Sequence, residues 1–402
     1  MMPRASAEAS LHRGRSNATM TATAPTAAPS SAIARPLTVM YVDLNTVWRG
    51  GQRQIFWMAQ GLKRRGGRPI LALRPHAVLA QRARAAGLEV MPIDPLIAEW
   101  GPMTVMRLRR TVAREGVDIL HPQCGHSMAL CALAALGTNT RVIFARRVTS
   151  PLRSGKATRI KYGRADRFIA VCRAAVPALL DAGIDASRID VVYSGVDLAR
   201  QVEPATPATL AELGVPNGSG PLVVMVGALT QMKDPLTFVR AIDVARRAVP
   251  SVEALLVGDG PLRAPVEALM RQLGLEGTLH LAGFRADADS LMCAGQVVVL
   301  SSDGSAEGIG GVVIDAISFG RPVAATAAGG VPEVIENERT GLLVPIGDAQ
   351  ALGDAIVRLL TDEPLAKRLV AAGLARSRDF AIENTVDGTI AVYRKLLAPA
   401  KT

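Results

Sequence analysis

The sequence predicts an α/β protein built from two successive parallel sheets, each covered by helices. Its length of 402 residues fits two or three domains. Hydrophobic residues make up 49% of the chain but aromatic residues only 3%, so the core must consist of Ala, Leu, Val and Ile. Short apolar runs alternate with helix-like stretches along most of the chain, which is typical of parallel sheets with helices on both faces.

The first 36 residues differ in composition from the rest. They are rich in Ala, Ser, Thr, Pro and Arg and contain almost no large apolar side chain. We predict a disordered tail over residues 1–36, without the continuous apolar stretch of a secretory signal. Met20 offers a second start position within this tail.

Residues 37–200 show the first alternating series, and we assign them to an N-terminal domain. The run from Leu37 to Val42 predicts a buried strand. Further strands are predicted at 69–73, 89–93, 117–121, 141–145 and 167–171, and helices at 54–65, 79–86, 105–114, 128–136 and 174–182.

Residues 201–380 show the second series, and we assign them to a C-terminal domain. The Pro, Ala, Thr and Gly content of residues 201–220 indicates an interdomain linker near the start of that stretch. Strands are predicted at 222–226, 254–257, 278–282, 297–300, 323–326 and 341–344, and a last helix at 381–397.

The net charge of +11 is unevenly distributed. Residues 37–200 carry 25 Lys or Arg and 11 Asp or Glu, whereas residues 201–402 carry 17 and 23. A basic half beside an acidic half predicts that the first half meets an anionic partner, with anionic lipid and nucleic acid as candidates. The alternative is an Arg-rich face that is merely solvated. Of the two partners we favour an anionic membrane surface and expect no nucleic acid.

The four cysteines form no C-x-x-C pair, which disfavours both a metal site and a disulfide framework. A reducing compartment is the simplest interpretation. No apolar run reaches the ~18 residues of a membrane span. We therefore predict a cytoplasmic protein, peripheral on the inner face of the plasma membrane if the basic half binds lipid.

The most informative motif lies in the second half, where Glu307 and Asp315 flank a turn at Gly310 and Gly311. A predicted strand precedes the turn and a helical stretch follows it. Backbone N–H groups at such a helix N-terminus favour phosphate, and a carboxylate can accept from two neighbouring sugar hydroxyls. We therefore predict a sugar-nucleotide site in this segment.

A second motif follows the strand at 222–226. Gly227 permits close backbone approach, and Lys233 could neutralise a diphosphate. The alternative is a surface lysine at an ordinary strand–helix turn. The neighbouring Glu307 segment favours phosphate binding.

Further candidates follow strands of the first half. Gly50 and Gly51 let a loop approach phosphate or sugar, or form a tight turn with a helix cap. His121 and His126 could act as acid or base or orient a hydroxyl, although a histidine at a strand end is more often structural.

Arg146 and Arg147 form a basic pair at the end of another strand, which could meet phosphate or lipid head groups or lie in a solvated loop. Asp287 and Asp289 spell a D-x-D pattern that binds divalent ions in some enzymes. We interpret it as the start of a helix and predict no metal.

Together these motifs resemble the family 4 retaining glycosyltransferases of the GT-B fold, over about residues 38–397. The most specific part runs from Glu307 to Gly320 and continues through residues 329–335 and 340–344. The stretches 48–52, 146–148, 161–162, 172–173 and 191–197 add to it.

The resemblance implies two Rossmann-like domains that face each other across a cleft, with the donor mainly on the second domain and the acceptor on the first. It also implies that residues 381–402 cross back to the first domain as a helix. The donor would be a nucleoside diphosphate sugar, a substrate rather than a cofactor, and no cofactor is expected. The acceptor would be a saccharide or a lipid-linked saccharide.

The resemblance also implies roles for individual residues. Lys233 would bind the donor diphosphate, Glu307 the sugar hydroxyls and Asp315 the ribose hydroxyls. The remaining donor contacts would come from Gly50, Gly51, Arg147, Gly227, Phe284, Arg285, Gly310, Gly311 and Val312, with Phe284 and Arg285 near the base. The catalytic candidates are Glu307, Lys233 and His126.

Three positions depart from the family pattern: Asp315 stands where Glu is usual, Ala228 where Arg is usual, and Arg146-Arg147 where many members have His. Arg147 and Lys233 would have to compensate, or activity is reduced. No acidic residue is placed as a nucleophile, so retention would proceed by front-face substitution.

Two other functions compete with glycosyl transfer. A sugar-nucleotide 2-epimerase would use a related two-domain scaffold without an acceptor. A non-catalytic relative would bind sugar nucleotide or membrane only, and Ala228 keeps this alternative open.

Overall fold

The computed structural model describes residues 36–93, 101–152 and 155–399. Except for Pro36, the predicted tail lies outside these ranges. The described residues contain two parallel β-sheets joined through a linking segment after residue 191. We call residues 36–200 together with the last helix the N-terminal region, and residues 201–381 the C-terminal region.

The N-terminal region contains a seven-stranded sheet. Its strands are β1 (Thr38–Asp43), β2 (Arg68–Leu73), β3 (Glu89–Pro92), β4 (Ile119–Pro122), β5 (Arg141–Arg146), β6 (Arg167–Ala170) and β7 (Ile189–Val191). They pair in the order β3-β2-β1-β4-β5-β6-β7, and all pairs are parallel. The connecting helices are α1 (Gly50–Arg64), α2 (Val78–Ala85), α3 (Pro102–Arg114), α4 (Gly125–Ala134), α5 (Lys156–Gly163) and α6 (Val176–Asp181).

The C-terminal region contains a six-stranded sheet. Its strands are β8 (Leu222–Val226), β9 (Glu253–Val257), β10 (Leu279–Gly283), β11 (Val297–Leu300), β12 (Val323–Thr326) and β13 (Leu342–Val344), paired in parallel in the order β10-β9-β8-β11-β12-β13. Its helices are α7 (Pro207–Glu212), α8 (Pro235–Ala248), α9 (Arg263–Leu273), α10 (Ala288–Ala294), α11 (Gly311–Ser318), α12 (Val331–Val334), α13 (Ala349–Thr361) and α14 (Glu363–Ser377).

Short 3-10 helices at Arg173–Ala175, Ala186–Arg188, Gln231–Lys233 and Arg378–Phe380 complete the connections, and α15 (Ile382–Leu397) ends the described chain. The strands at the centre of both sheets are buried along almost their whole length. Burial on both faces explains why they read as continuous apolar runs in the sequence. The predicted fold class, two Rossmann-like halves of α/β structure, is confirmed.

The last helix lies against the N-terminal region, as the resemblance implies. Val196 pairs with Ala381 in a parallel bridge just before α15 begins. Gly61 of α1 allows the helices to pack closely, because a Cβ on Gly61 would lie 2.4 Å from Val386. Tyr393 is fully buried and reaches the N-terminal sheet. The chain therefore returns to its first region after completing the second.

The structure contains elements that the apolar pattern did not predict: α5, β7 and α7. Strand β7 has only three residues, too few to show a pattern. Helix α7 carries a readable signal, because the Thr206 side chain accepts from the Thr209 N–H and Pro207 occupies the first turn. Helix α1 begins at Gly50, four residues earlier than predicted, because Gln52 accepts from the Arg49 N–H and caps the first turn.

The strand order places a topological switch point in each sheet. It lies between β1 and β4 in the first sheet and between β8 and β11 in the second, where connections leave toward opposite edges. Ligands of open α/β sheets bind at the carboxyl ends of the strands at such points. Gly50, Gly51, Gly227 and the Glu307 turn all follow these strands.

Candidate functional site

The turn that Glu307 and Asp315 flank leads directly into α11. Gly310 is the residue before the helix and has a φ of 69°, a left-handed conformation that favours glycine. A Cβ there would also lie 2.8 Å from the Val331 side chain. The first turn of α11 has no acidic residue, and the free N–H groups at a helix N-terminus favour an anion. Val312, in this turn, is half-buried against the core.

Glu307 and Lys233 form an ion pair at this turn. The Lys233 Nζ lies 2.5 Å from the Glu307 Oε2, and the Ser302 hydroxyl donates to the same oxygen at 2.5 Å. Burial alone would raise the pKa of Glu307, but the Lys233 ammonium and the hydrogen bonds from Ser302 and the Gly308 N–H bring its pKa below the usual range. The Lys233 stem packs 3.5 Å from where a Cβ on Gly227 would stand. The structure thus brings Gly227, Lys233 and Glu307 together.

Asp315 is held by two arginines. Arg53 of α1 donates from Nη2 to Asp315 Oδ2, and Arg200 of the linking segment donates to Oδ1 at 2.5 Å. Arg200 also pairs with Asp289 at 2.5 Å. The Asp315 side chain is only 2% exposed. The family resemblance implies that Asp315 binds ribose hydroxyls, and the structure shows that both of its oxygens already have protein donors.

Trp57 supports this arginine pair. The Arg53 guanidinium lies 4.8 Å and that of Arg200 5.2 Å from the Trp57 ring. Arg200 also lies 5.2 Å from the Phe319 ring. Such contacts hold guanidinium groups by cation–π attraction. None of these four residues is predicted from the sequence as part of the site. The one pattern in the sequence that points to this group is the position of Arg53 just after the Gly50-Gly51 turn.

A buried polar cluster lies at the carboxyl edge of the first sheet. Asp43, fully buried, accepts from Gln52 at 2.9 Å and from Asn45 at 2.7 Å. Burial raises the pKa of Asp43, which these hydrogen bonds and the charge of Arg147 oppose. Burial lowers the pKa of Arg147 to about 10. Arg147 donates to Gln123 at 2.7 Å, and its stem lies 3.9 Å from where a Cβ on Gly51 would stand.

His121 belongs to the same cluster. Its Nδ1 lies 2.5 Å from the Tyr393 hydroxyl, and its buried Nε2 has no hydrogen-bond partner among the described residues. Burial and the nearby charge of Arg147 lower the pKa of His121 to about 3, so the ring is neutral near pH 7. His126 lies apart from it, exposed in the first turn of α4. Of the two predicted histidines, the structure places His121 in the buried cluster.

The remaining predicted residues lie as follows. Gly50 opens α1, and a Cβ added to it would meet no atom within 4 Å. Phe284 is 71% exposed, just after β10, and Arg285 pairs with Asp287 at 2.6 Å. Asp287 precedes α10 but makes no capping hydrogen bond with its side chain. Within the described residues, no cluster of three or more His, Cys, Asp or Glu suits a metal ion.

The two regions touch directly at this edge. The Thr149 hydroxyl donates to the Glu307 carbonyl oxygen at 2.9 Å. Glu333 accepts from the N–H groups of Arg173 and Ala174 at 2.9 and 2.8 Å. A Cβ on Gly308 would lie 2.3 Å from the Arg147 carbonyl oxygen. The glycine turns of both regions therefore face the same junction.

Two Rossmann-like halves with a charged glycine turn at their junction define the class of this α/β protein. Residues 48–200 match the model of the family described as Glycosyltransferase Family 4, and residues 220–362 match that described as Glycosyl transferases group 1. The chain belongs to these glycosyltransferases of the GT-B fold.

Curated relatives include a lipopolysaccharide core biosynthesis glycosyltransferase, LpsD, of Rhizobium meliloti (strain 1021), 33% identical over 43% of this chain and 48% of the relative. A D-inositol 3-phosphate glycosyltransferase of Nocardioides sp. is 29% identical over 53% of this chain and 50% of the relative. The chain spans about half the length of these curated relatives. Among solved structures, Anabaena Alr3699/HepE in complex with UDP has a TM-score of 0.77 at 21% identity, covering 89% of this chain and 100% of that one.

Proposed function

We propose that the protein is a retaining glycosyltransferase that moves a sugar from a nucleoside diphosphate sugar to a lipid-linked or envelope saccharide. The observation that carries this proposal is the Lys233–Glu307 ion pair beside the N-terminus of α11. The Lys233 ammonium and the helix N-terminus suit a diphosphate. The Glu307 carboxylate, one of whose oxygens already faces Lys233 and Ser302, suits sugar hydroxyls.

The relatives supply starting choices for donor and acceptor. Solved Alr3699/HepE structures contain UDP, glucose or UDP-glucose. LpsD is named for lipopolysaccharide core biosynthesis. These names support a nucleotide sugar as donor and an envelope saccharide as acceptor. UDP-sugars are therefore the first donors to test.

The residues at the turn fit a front-face mechanism. In that mechanism the bond between the sugar C1 and the diphosphate oxygen breaks while the acceptor oxygen bonds to C1 on the same face. The acceptor proton passes to the departing diphosphate oxygen. Lys233 and the N–H groups at the start of α11 would stabilise the negative charge that develops there. Glu307 and Asp315 both face cations, so neither is set up as a free nucleophile.

A panel of nucleotide sugars, each incubated with and without saccharide acceptors, tests the proposal. Release of nucleoside diphosphate that requires acceptor is the expected result, and it should persist with a chelator present because the site is proposed to work without metal. An epimeric sugar nucleotide formed without acceptor would identify the 2-epimerase. Binding without turnover on any acceptor would identify a non-catalytic relative.

We further propose that the N-terminal region docks on the cytoplasmic face of an anionic membrane. Helix α3 exposes Met103 and Met106, which are 57% and 46% exposed, beside the exposed arginines Arg107 and Arg110. Apolar side chains flanked by arginines suit an interface of acyl chains and anionic head groups. No helix among the described residues is both long and apolar enough to span a membrane.

Flotation with anionic and neutral vesicles at low and high salt tests this docking. Recovery on anionic vesicles should exceed that on neutral ones and should fall at high salt. Replacing Arg107 and Arg110 with Glu should abolish the preference, since each near-surface charge contributes on the order of 1 kcal/mol. Equal recovery on both vesicles at every salt concentration would contradict it.

A further inference from the structure

Arg53 reaches from the N-terminal region onto the glycine turn of the C-terminal region. It lies on α1, and its Nη2 contacts the Asp315 carboxylate across the junction. The same nitrogen lies 3.9 Å from where a Cβ on Gly311 would stand, directly over the first residue of α11. The Arg53 guanidinium of the N-terminal region thus lies at the N-terminus of α11 in the C-terminal region, a position that favours anions.

Arg53 has hydrogen-bonding capacity that its protein neighbours leave unused. Its buried Nε has no hydrogen-bond partner among the described residues. Arg200, by contrast, places its two terminal nitrogens on Asp289 and Asp315, both at 2.5 Å. The Lys233 ammonium is likewise engaged by Glu307. A buried donor left without an acceptor is unfavourable, so the Arg53 guanidinium has capacity for a further acceptor at this turn.

We propose that Arg53 is a donor-binding residue that exchanges partners, leaving Asp315 for the donor diphosphate when the nucleotide enters. This proposal rests on the proposed function. Asp315 is then open to the ribose hydroxyls, and Arg53 supplies a bidentate contact to phosphate oxygens. The exchange replaces one ion pair with another, so no charge is left buried and unpaired.

The surroundings of Arg53 favour such an exchange. Arg200 remains on Asp315 and keeps a cation beside that carboxylate throughout. The Trp57 ring, 4.8 Å from the guanidinium, offers a flat surface over which Arg53 can turn without losing its contact. An ionised carboxylate has about four acceptor positions, and the two arginines engage only one oxygen each. Two ribose hydroxyls therefore have acceptor positions once Arg53 turns aside.

The exchange makes donor recognition depend on both regions. Lys233 and Glu307 belong to the C-terminal region and can act without α1. Arg53 belongs to the N-terminal region, so its phosphate contact exists only when the regions are together. Arg53 would thus be the residue of the N-terminal region that contacts the diphosphate of a donor bound to the C-terminal region.

Calorimetric titration of the full chain with a nucleoside and with its diphosphate tests the exchange. The base is whichever of UDP, GDP and ADP stabilises the wild type most in a thermal-shift screen. Arg53→Ala should weaken diphosphate binding by about 10- to 100-fold, the range for a charge-assisted hydrogen bond. The same substitution should leave nucleoside binding unchanged or tighter, because Asp315 loses a competitor. Arg53→Lys should recover part of the diphosphate affinity, since lysine restores the positive charge but cannot make the bidentate contact of a guanidinium group.

Arg65→Ala is the matched control, because Arg65 directly follows the last residue of α1 and pairs with Asp387 of α15 away from the junction. It should change neither affinity. An equal loss of nucleoside and diphosphate affinity in Arg53→Ala would overturn the exchange and indicate a purely structural role. Unchanged affinity for both would overturn it as well. Failure of the wild type to bind any of the three diphosphates would instead contradict the proposed function.

Discussion

The two glycine turns that meet at the junction differ in how they handle charge. Around the Gly50-Gly51 turn, burial dominates: it raises the pKa of Asp43 and lowers the pKa values of Arg147 and His121. Around the Gly310-Gly311 turn, pairing dominates, because Lys233 holds the pKa of Glu307 low despite burial. At the first turn burial shifts the pKa values of Asp43 and His121 toward their neutral forms, whereas at the second turn the ion pair with Lys233 favours the ionised form of Glu307.

This difference suggests a division of labour. A site that disfavours charge suits an uncharged, hydroxyl-bearing acceptor. A site with paired cations and carboxylates suits a charged diphosphate and its sugar, because the ions are already paired and desolvated before the ligand arrives. We therefore expect substitutions at the second turn, and of Arg53 that reaches it, to affect the donor, and substitutions of the buried Asp43 and His121 to affect stability or the acceptor.

The largest expected effect is on turnover at the second turn. Lys233→Ala should reduce turnover about 10²-fold or more, as does loss of one preorganised donor to a developing negative charge. Glu307→Gln should reduce transfer more than it reduces nucleotide binding, because Glu307 is expected at the sugar. Steady-state kinetics with calorimetry measures both. Lys367→Ala, in a solvent-exposed pair with Glu363, is the control. Parental turnover in both folded variants would place the donor site elsewhere.

The next effect separates a ligand-binding carboxylate from a structural one. Asp315→Asn should weaken binding of the free nucleoside diphosphate by roughly 1.5–3 kcal/mol, the range for hydrogen bonds to a charged group. Asp243 is a close match, because it is also buried and held by two arginines, Arg246 and Arg247, but within α8.

Asp243→Asn should lower stability without changing nucleotide affinity. If Asp315→Asn behaves the same way, with a lower melting temperature and unaltered affinity, the ribose assignment is wrong. Calorimetric titration and thermal melting of both variants decide between the two roles.

The comparison also shows what the sequence could predict. The strands, the glycine turns and the neighbourhood of Lys233 and Glu307 follow from local patterns, because strand ends and helix starts are encoded within short stretches. The contact between Asp315 and Arg53 cannot be predicted from such local patterns. Arg53 is 262 positions away, and nothing local distinguishes it among 46 Lys and Arg residues.

The histidines show the same limit. His121 ends the strand predicted at 117–121 and His126 lies just beyond it, and no local pattern shows which of the two is buried. In the structure β4 continues to Pro122, so His121 lies within the strand, and Tyr393 of α15 covers it. The covering residue lies 272 positions further along the chain, and only the tertiary fold brings it there.

The third prediction concerns His121, whose neutral form burial favours. Because the folded-state pKa of His121 is lowered to about 3 from 6.5, the unfolded chain binds a proton that the folded chain does not between these values. Stability from this residue is complete above about pH 6.5 and is lost as the pH falls toward 3. As the pH is lowered from 7.5 to 5.5, protonation of His121 in the unfolded chain should therefore reduce the free energy of unfolding by about 1.4 kcal/mol.

His121→Asn should remove that pH-dependent loss while retaining a polar group toward Tyr393. Urea denaturation of both proteins at the two pH values provides the measurement. Equal pH dependence in the variant and the wild type would show that His121 titrates normally in the folded protein.

The smallest expected effect is at a contact that joins the regions. Thr149→Val removes the hydrogen bond to the Glu307 carbonyl oxygen and should cost about 0.5–1.5 kcal/mol of stability. Thr361→Val removes a bond within α13 and serves as the control. A midpoint of denaturation for Thr149→Val that is no lower than that of the control would show that this contact does not stabilise the junction.

The most direct test of the donor site is a calorimetric titration of Gly311→Ala with the nucleoside diphosphate that stabilises the wild type most. A Cβ on Gly311 meets nothing closer than 3.9 Å, so the variant should fold, yet the methyl group projects into the proposed phosphate site. Gly163→Ala, whose added methyl group meets no atom within 4 Å, is the control. We expect Gly311→Ala to weaken binding at least about tenfold, a loss of about 1.4 kcal/mol, and Gly163→Ala to leave it unchanged. Equal affinity in Gly311→Ala and the wild type, or no binding by the wild type, would contradict the placement of the donor at this turn.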